Sequence, residues 1–369
     1  MPVYEIAPVV FDIGSAYTKL GFVAEPYPRT ITPTEVISGT SPTTSKSLFS
    51  YNNQLQFYDQ VVDFIQTLFF KHLLVNPKER KVVIVESVLC PTEIRDVFAK
   101  VLFRHFEISS ILFVPSHLVS LSTLGIETAL VVDIGQKEAT VIPVYSGIQV
   151  LHSWQAQPLA AESVHAEIKR QLLENGVSSD LLTDEVIEEI KIRTCFVTTY
   201  ERSQQHKNGD EVTPPPDVNY PIQGKETITI PGKLRETAYE VLFPEDNDRL
   251  GLPYIILDAI VACSIDMRRT LLENLVIIGG TAMAQGLMAR LKCELLALLK
   301  TDVYKEKLHA SIVKFHRVPA KENFAAWLGG SIYGGTEMLK TKGLTKENYM
   351  KLNRVPDWTN LEDNRPWGN

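Results

Sequence analysis

Val9-Val10-Phe11-Asp12-Ile13-Gly14-Ser15, continued by Ala16-Tyr17-Thr18-Lys19-Leu20-Gly21-Phe22, is a β-rich run, a glycine-centred break and a second β-rich run. Glycine at such a break lets the chain reverse tightly, so the stretch predicts two strands joined by a short turn. The pattern returns at Leu130-Val131-Val132-Asp133-Ile134-Gly135, with Ala139 to Tyr145 as the returning strand. Two apolar strands that each end in Asp-Ile-Gly, most of a domain apart, predict a duplicated architecture with one such hairpin in each half.

Working outward, strands and helices alternate, which is the mark of an α/β fold with largely parallel sheets. An amphipathic stretch runs from Asp59 to Leu74, and its helix is expected to begin near Val61. A strand follows at Val82 to Glu86, then a helix opened by Pro91-Thr92-Glu93, where proline suits the first turn, and a strand over Ile108 to Val114. The second half is expected to hold helices at Glu162 to Leu173 and Glu185 to Val197. An exposed loop is expected over Glu201 to Tyr220 around Pro214-Pro215-Pro216, then a strand at Asn274 to Ile278 and a helix at Gln285 to Leu299. Trp327-Leu328-Gly329-Gly330-Ser331-Ile332 sets two glycines beside a bulky anchor, a pattern that predicts close packing.

Composition excludes several classes. At 369 residues and about 150 residues per domain, two to three domains are expected. Hydrophobic residues at 44% and charged residues at 22% suffice for packed cores. Lys+Arg 37 against Asp+Glu 44 gives a net charge of −7, which disfavours nucleic acid as the main partner. The start, Met1 to Val10, has no basic residue before its apolar stretch, and no apolar run approaches the ~18 residues of a membrane span, so a cytosolic or nuclear protein is expected. Cys90, Cys195, Cys263 and Cys293 are far apart, which predicts free thiols in or near cores rather than a zinc site or disulfides. The chain has no G-x-S-x-G, no G-x-x-x-x-G-K-[ST] and no G-x-G-x-x-G.

A turn between two strands offers consecutive backbone N–H groups, and glycine lets that backbone approach a phosphate closely. An aspartate at the end of the first strand then has the task of holding Mg²⁺ through its waters. Asp12-Ile13-Gly14-Ser15 and Asp133-Ile134-Gly135 both have this form. A third element, Gly279-Gly280 at a strand-to-helix junction, offers bare backbone to a flat base.

The order of these elements resembles the actin family over nearly the whole chain. Asp12 to Phe22, with Pro28-Arg29, is similar to the first phosphate loop and Asp133-Ile134-Gly135 to the second. Ile278-Gly279-Gly280-Thr281-Ala282-Met283 is similar to the adenosine motif, and Trp327 to Ile332 to the last connection. The resemblance implies an actin-like ATPase fold, two ribonuclease-H-like halves around a nucleotide cleft. Residues 1–150 form the first half, with 34–60 a shortened small subdomain. Residues 151–330 form the second half, and 331–369 return to the first. It further implies ATP or ADP with Mg²⁺ held by Asp12, Gly14, Ser15, Lys19, Asp133, Gly135, Lys191, Gly279, Gly280, Thr281 and Met283. Asp12 and Asp133 would serve the metal through water.

Departures from the family pattern point to function. The second loop runs Asp133-Ile134-Gly135-Gln136-Lys137 where the family has Asp-Ser-Gly-Asp-Gly, so a serine hydroxyl and a close-approach glycine are missing. The water-orienting glutamine of actin falls at Ser116 or His117, the acidic neighbour of Lys191 is Ile192, and a second lysine near the base is Asn323. Loss of such positioning costs orders of magnitude in rate, so a bound nucleotide is expected to be a structural ligand hydrolysed slowly or not at all. The interval 34–60 is much shorter than the family's docking-loop subdomain, and Ser38 to Ser45 has the composition of a polar link. Pro143, Tyr145, Gly147 and Ile148 are similar to the segment at the opposite end that receives a neighbour's loop. A subunit with one of two complementary patches joins a filament end and stops it, and the lost patch lies on the pointed side.

Within the family, Phe69 to Pro91, Arg193 to Val197, Pro214 to Pro221 and Arg354-Val355-Pro356-Asp357-Trp358 resemble the divergent actin-related subunits of dynactin's pointed end. That implies a non-enzymatic cap in the cytoplasm and cytoskeleton. Its partners would be the actin-related protein and actin of the filament, the other pointed-end subunits and, indirectly, dynein, with no nucleic acid and no membrane insertion. A polymerising actin-like ATPase and a nuclear chromatin-remodelling subunit are the alternatives. The second loop and the short interval argue against the first, the absence of a basic import tract against the second.

Overall fold

The computed structural model describes residues 6–37, 45–222, 226–244 and 250–356. The chain divides into two compact units, one of residues 1–125 and 324–369 and one of residues 126–323. In the first, β1 (Val9–Ile13) and β2 (Tyr17–Phe22) form the expected hairpin, followed by β3 (Thr30–Pro33) and a small ribbon of β4 (Glu35–Ile37) and β5 (Ser45–Ser47). Helix α1 (Gln54–Thr67) starts earlier than the apolar pattern from Asp59 implies, because Asn53 caps it by accepting the Gln56 N–H at 2.9 Å. It ends in a wider π-type turn over Leu68–Leu73. Strand β6 (Lys81–Glu86), helix α2 (Thr92–Lys100), strand β7 (Ser110–Pro115) and helix α3 (Ser116–Ser122) complete the segment.

The second unit opens on β8 (Ala129–Ile134) and β9 (Ala139–Tyr145), the second expected hairpin, then β10 (Ile148–Gln149) and β11 (Gln155–Gln157). Helix α4 (Ala161–Glu174) and α5 (Asp184–Thr194) follow; α5 stops before Val197 because the chain is extended from Cys195. The stretch expected as a loop from Glu201 to Tyr220 is instead helix α6 (Tyr200–Asn208), an irregular segment and β12 (Val218–Ile222), paired with β13 (Glu226–Ile230). Helix α6 carries one buried residue, Ser203, and is held by ion pairs rather than an apolar stripe, so periodicity could not reveal it. Then come α7 (Gly232–Thr237), α8 (Leu252–Ala262), α9 (Ile265–Leu272), β14 (Leu275–Ile278), α10 (Leu287–Leu298), α11 (Asp302–Leu308) and β15 (Phe315–His316).

Back in the first unit, α12 (Ala325–Gly334) packs on α3, and β16 (Leu344–Thr345) adds the edge strand. The glycines of Trp327 to Ile332 do allow close packing: a Cβ on Gly329 would stand 2.0 Å from the Val119 carbonyl oxygen, and one on Gly330 2.4 Å from a Val85 methyl. Trp327 is fully buried and donates to the Val10 carbonyl at 3.2 Å.

Duplication is visible in the sheets. The first has the order β16-β7-β6-β1-β2-β3 and the second β10-β9-β8-β14-β15, with β11 also on β9. In each, the first hairpin strand pairs antiparallel with its return and parallel with the next strand, which is itself parallel to a fourth. Each unit has its own core. Val9, Phe11, Phe64, Leu68 and Phe103 belong to one, and Val132, Ile168, Ile256, Leu275 and Leu291 to the other.

Candidate functional site

The first Asp-Ile-Gly turn sits at the end of β1. Asp12 and Lys19 are register partners, and their side chains form an ion pair at 3.1 Å, mostly buried. Gly14 donates its N–H to the Tyr17 carbonyl at 3.2 Å, which closes the turn, and a Cβ on Gly14 would crowd that same oxygen at 2.9 Å. Ser15 is exposed at the tip. Among the described residues the Ser15 and Ala16 N–H groups donate to nothing within the chain, so they remain available to an anion.

The second turn repeats this. Gly135 donates to the Glu138 carbonyl at 3.1 Å, and the Gln136 and Lys137 N–H groups donate to nothing in the described chain. The turn's carbonyls are used structurally, because Gly135 accepts the Ala161 N–H at 3.2 Å and Gln136 the Glu162 N–H at 2.8 Å. They thereby satisfy the start of α4. The third motif meets the second here. Thr281 donates its hydroxyl to the Gly135 carbonyl at 2.7 Å. Gly279 has φ +101 and lies so close to β8 that a Cβ would be 2.4 Å from the Ile134 carbonyl and 2.6 Å from an Asp133 carboxylate oxygen. Gly280 faces open space, and Met283 is half-exposed. Asp133, Gly135, Gly279, Gly280 and Thr281 are therefore brought together, as the sequence order leads one to expect.

Lys191 has its own partners: its ammonium lies 2.8 Å from His165 Nε2 on α4 and 3.6 Å from Glu188. Burial pulls the Lys191 pKa down against the raising effect of Glu188, and burial, with Lys191 adding to it, holds His165 down at about 4. His165 is thus a neutral acceptor, a partnership that one basic motif residue in isolation did not announce. Ser116 and His117 are both buried, the Ser116 hydroxyl 3.2 Å from His117 Nδ1. Of the segment expected to face a neighbour, Pro143 is buried in β9, whereas Gly147 and Ile148 are exposed and Tyr145 half-exposed. Cys195 and Cys263 are buried and Cys90 and Cys293 half-buried, all four as free thiols; burial pushes Cys90 up to about 12 and Cys195 up to about 11.

Within each unit, taken by itself, the donor set suits an anion such as a phosphate. Two turns each leave a pair of amides free, each follows an aspartate, and a glycine pair supplies bare backbone. No group of three or more metal-ligating side chains occurs among the described residues.

The family model described as actin matches residues 3–352. The chain belongs to the actin family. Nucleotide binding is general in the actin family, and the two sheets with their paired Asp-Ile-Gly hairpins are its fold. Among curated proteins, the chain is similar to actin-related protein 10 of Dictyostelium discoideum, 27% identical over 430 residues that take in 96% of this chain and 89% of the relative. No helix of this actin-family chain, among the described residues, is long and apolar enough to cross a membrane.

Proposed function

We propose that this actin-family chain is a structural subunit of dynactin that ends the pointed end of its short actin-like filament and joins the other pointed-end subunits, in support of dynein-driven transport. The observation that carries it is the interval between β3 and α1. It runs only from Thr34 to Asn53, and its described part holds a ribbon of two three-residue strands where the family has a docking subdomain. The exposed β9–β10 turn around Gly147 and Ile148 supplies the opposite, receiving surface. A chain with one of two complementary patches adds once to a polymer and blocks further addition. The similarity to a protein named actin-related protein 10 agrees with this assignment.

The nucleotide serves as a structural ligand. Asp12, Gly14, Ser15 and Lys19 in one unit, and Asp133, Gly135, Gly279, Gly280 and Thr281 in the other, are the residues to hold its phosphates and sugar-base portion. Mg²⁺ would sit near Asp12 and Asp133 through water. Burial of Ser116 and His117 leaves no exposed group where the family keeps its water-orienting glutamine, which supports slow hydrolysis or none.

The test uses actin-like filaments whose barbed ends are blocked, with growth followed by light scattering. The full chain should arrest pointed-end growth at substoichiometric amounts and stay flat when incubated alone. Insertion of an actin-length docking segment after Pro33 should relieve the arrest. Unimpeded growth in the presence of the wild-type chain would overturn the proposal, as would a graft that leaves the arrest intact.

A further inference from the structure

In the second unit the start of α6 at Tyr200, the start of α8 at Pro253 and Tyr254, and the end of α10 at Glu294 and Leu298 surround a cavity of about 160 Å³, with Phe243 on its wall. Tyrosine, phenylalanine and proline make up most of the lining, and Glu294 is its one charged side chain. Behind Glu294 lies Arg290, whose side chain is wholly buried. All five guanidinium hydrogens of Arg290 are committed. Nε donates to Glu294 Oε1 at 2.8 Å, Nη1 to the Thr198 carbonyl at 2.9 Å and to Glu240 Oε1 at 2.7 Å, and Nη2 to Ser203 Oγ at 2.8 Å and Glu240 Oε2 at 3.0 Å.

Two carboxylates thus face one guanidinium, and the network carries a surplus negative charge. Glu240 is fully engaged, since it also accepts the Ser203 hydroxyl at 2.8 Å. Glu294 is not. It accepts a single bond at Oε1, and among the described residues its Oε2 accepts none, although the residue is only 7% exposed. A buried carboxylate without a full set of partners calls for a donor or a cation. The walls favour the cation, because an aromatic face attracts positive charge; Phe243 already does so, with the Arg290 guanidinium 4.5 Å from its ring centroid. Size narrows the occupant. The cavity is smaller than the ~300 Å³ and above typical of small-molecule sites, and it matches one long side chain.

We infer that this cavity receives a single arginine or lysine side chain of a partner polypeptide, with the aliphatic stem along the tyrosine and proline walls and the cation on Glu294. Charge complementarity carries the assignment: an apolar anchor would leave the surplus charge unanswered, and an acidic one would add to it. The chain's own Arg249, outside the described residues but near Pro244 in sequence, is the competing occupant, and the experiment separates the two.

The full chain labelled with 3-fluorotyrosine, its Tyr200 and Tyr254 resonances assigned through Tyr200→Phe and Tyr254→Phe, is titrated with the probe acetyl-Ala-Arg-Ala-amide. A matched probe carries citrulline, which keeps the shape of arginine and loses the charge. The arginine probe should shift both resonances saturably, the citrulline probe should bind at least roughly tenfold more weakly, and Ala297→Phe, which fills the cavity and removes none of the Arg290 hydrogen-bond partners, should abolish the shift. Equal binding of the two probes, or no shift with arginine, overturns the inference in the wild-type chain without reliance on any variant. A roughly tenfold gain in affinity on Arg249→Gln assigns the cavity to the chain's own arginine and overturns the partner reading as well.

Discussion

His165 and Lys191 are two basic groups in one buried contact, and only one of them holds a charge. Burial is the larger cause of the low His165 pKa and the Lys191 ammonium the smaller, so the folded chain binds no proton there until the pH approaches about 4, whereas the unfolded chain binds one near 6.5. Between those values the unfolded state holds more protons, and stability must fall as the pH falls. Above 6.5 the contribution is fully present. Urea midpoints measured across this window should therefore drop on acidification, and His165→Gln should flatten the drop; an unchanged slope would mean that other groups dominate acid sensitivity. At the same scale, Gly279 and Gly329 are glycines for different reasons: the first for its φ of +101 as well as its closeness to β8, the second only because α12 lies against the Val119 carbonyl. In the sequence both are members of a Gly-Gly pair, told apart only by their flanks, a strand-to-helix junction for the first and the bulky Trp327 for the second.

Among the elements, α6 marks where the sequence stops being legible. Strands β1, β2, β8, β9 and β14 follow from their apolar runs and Asp-Ile-Gly or Gly-Gly ends, and α2 from its Pro91-Thr92-Glu93 opening. Helix α6 follows from none of these. Arg202 reaches Glu236, which is 1% exposed, through two hydrogen bonds of 2.5 and 3.1 Å, and Ser203 reaches Glu240. These contacts span more than thirty residues of sequence and exist only once the fold is made. Removing Arg202 leaves the buried Glu236 carboxylate with only His206, 3.4 Å away, a cost of about 1–3 kcal/mol. Arg202→Ala should accordingly speed amide exchange across α6 while α10 keeps its protection, as read by hydrogen exchange with mass spectrometry. Uniform loss of protection would mean instead that α6 is integral to the unit's core.

On the scale of the whole molecule, the duplicated sheets provide two similar turns, each with an aspartate ahead of it and a pair of free amides. The second lacks the family's hydroxyl at Ile134 and its glycine at Lys137, but backbone donors do not depend on side-chain identity, so binding should outlast catalysis. Denaturing the purified full chain and separating the released small molecules by chromatography should yield an adenine nucleotide at near one per chain, with no turnover detected beforehand. A chain free of nucleotide would refute the structural-ligand role, and steady phosphate release would refute the absence of catalysis.

Strand-turn-strand duplication, the glycine pairs and the short interval after Pro33 were determined by the sequence alone, because each depends on local backbone preference or on counting residues. Tertiary structure alone decided that α1 begins at its Asn53 cap, that Lys191 rests on a neutral His165, that α6 exists, and that Glu294, paired with Arg290 through one oxygen, lines an aromatic-walled cavity. Those features come from burial and from partners distant in sequence, and burial sets both the cost of an unpaired charge and the protonation of a buried base.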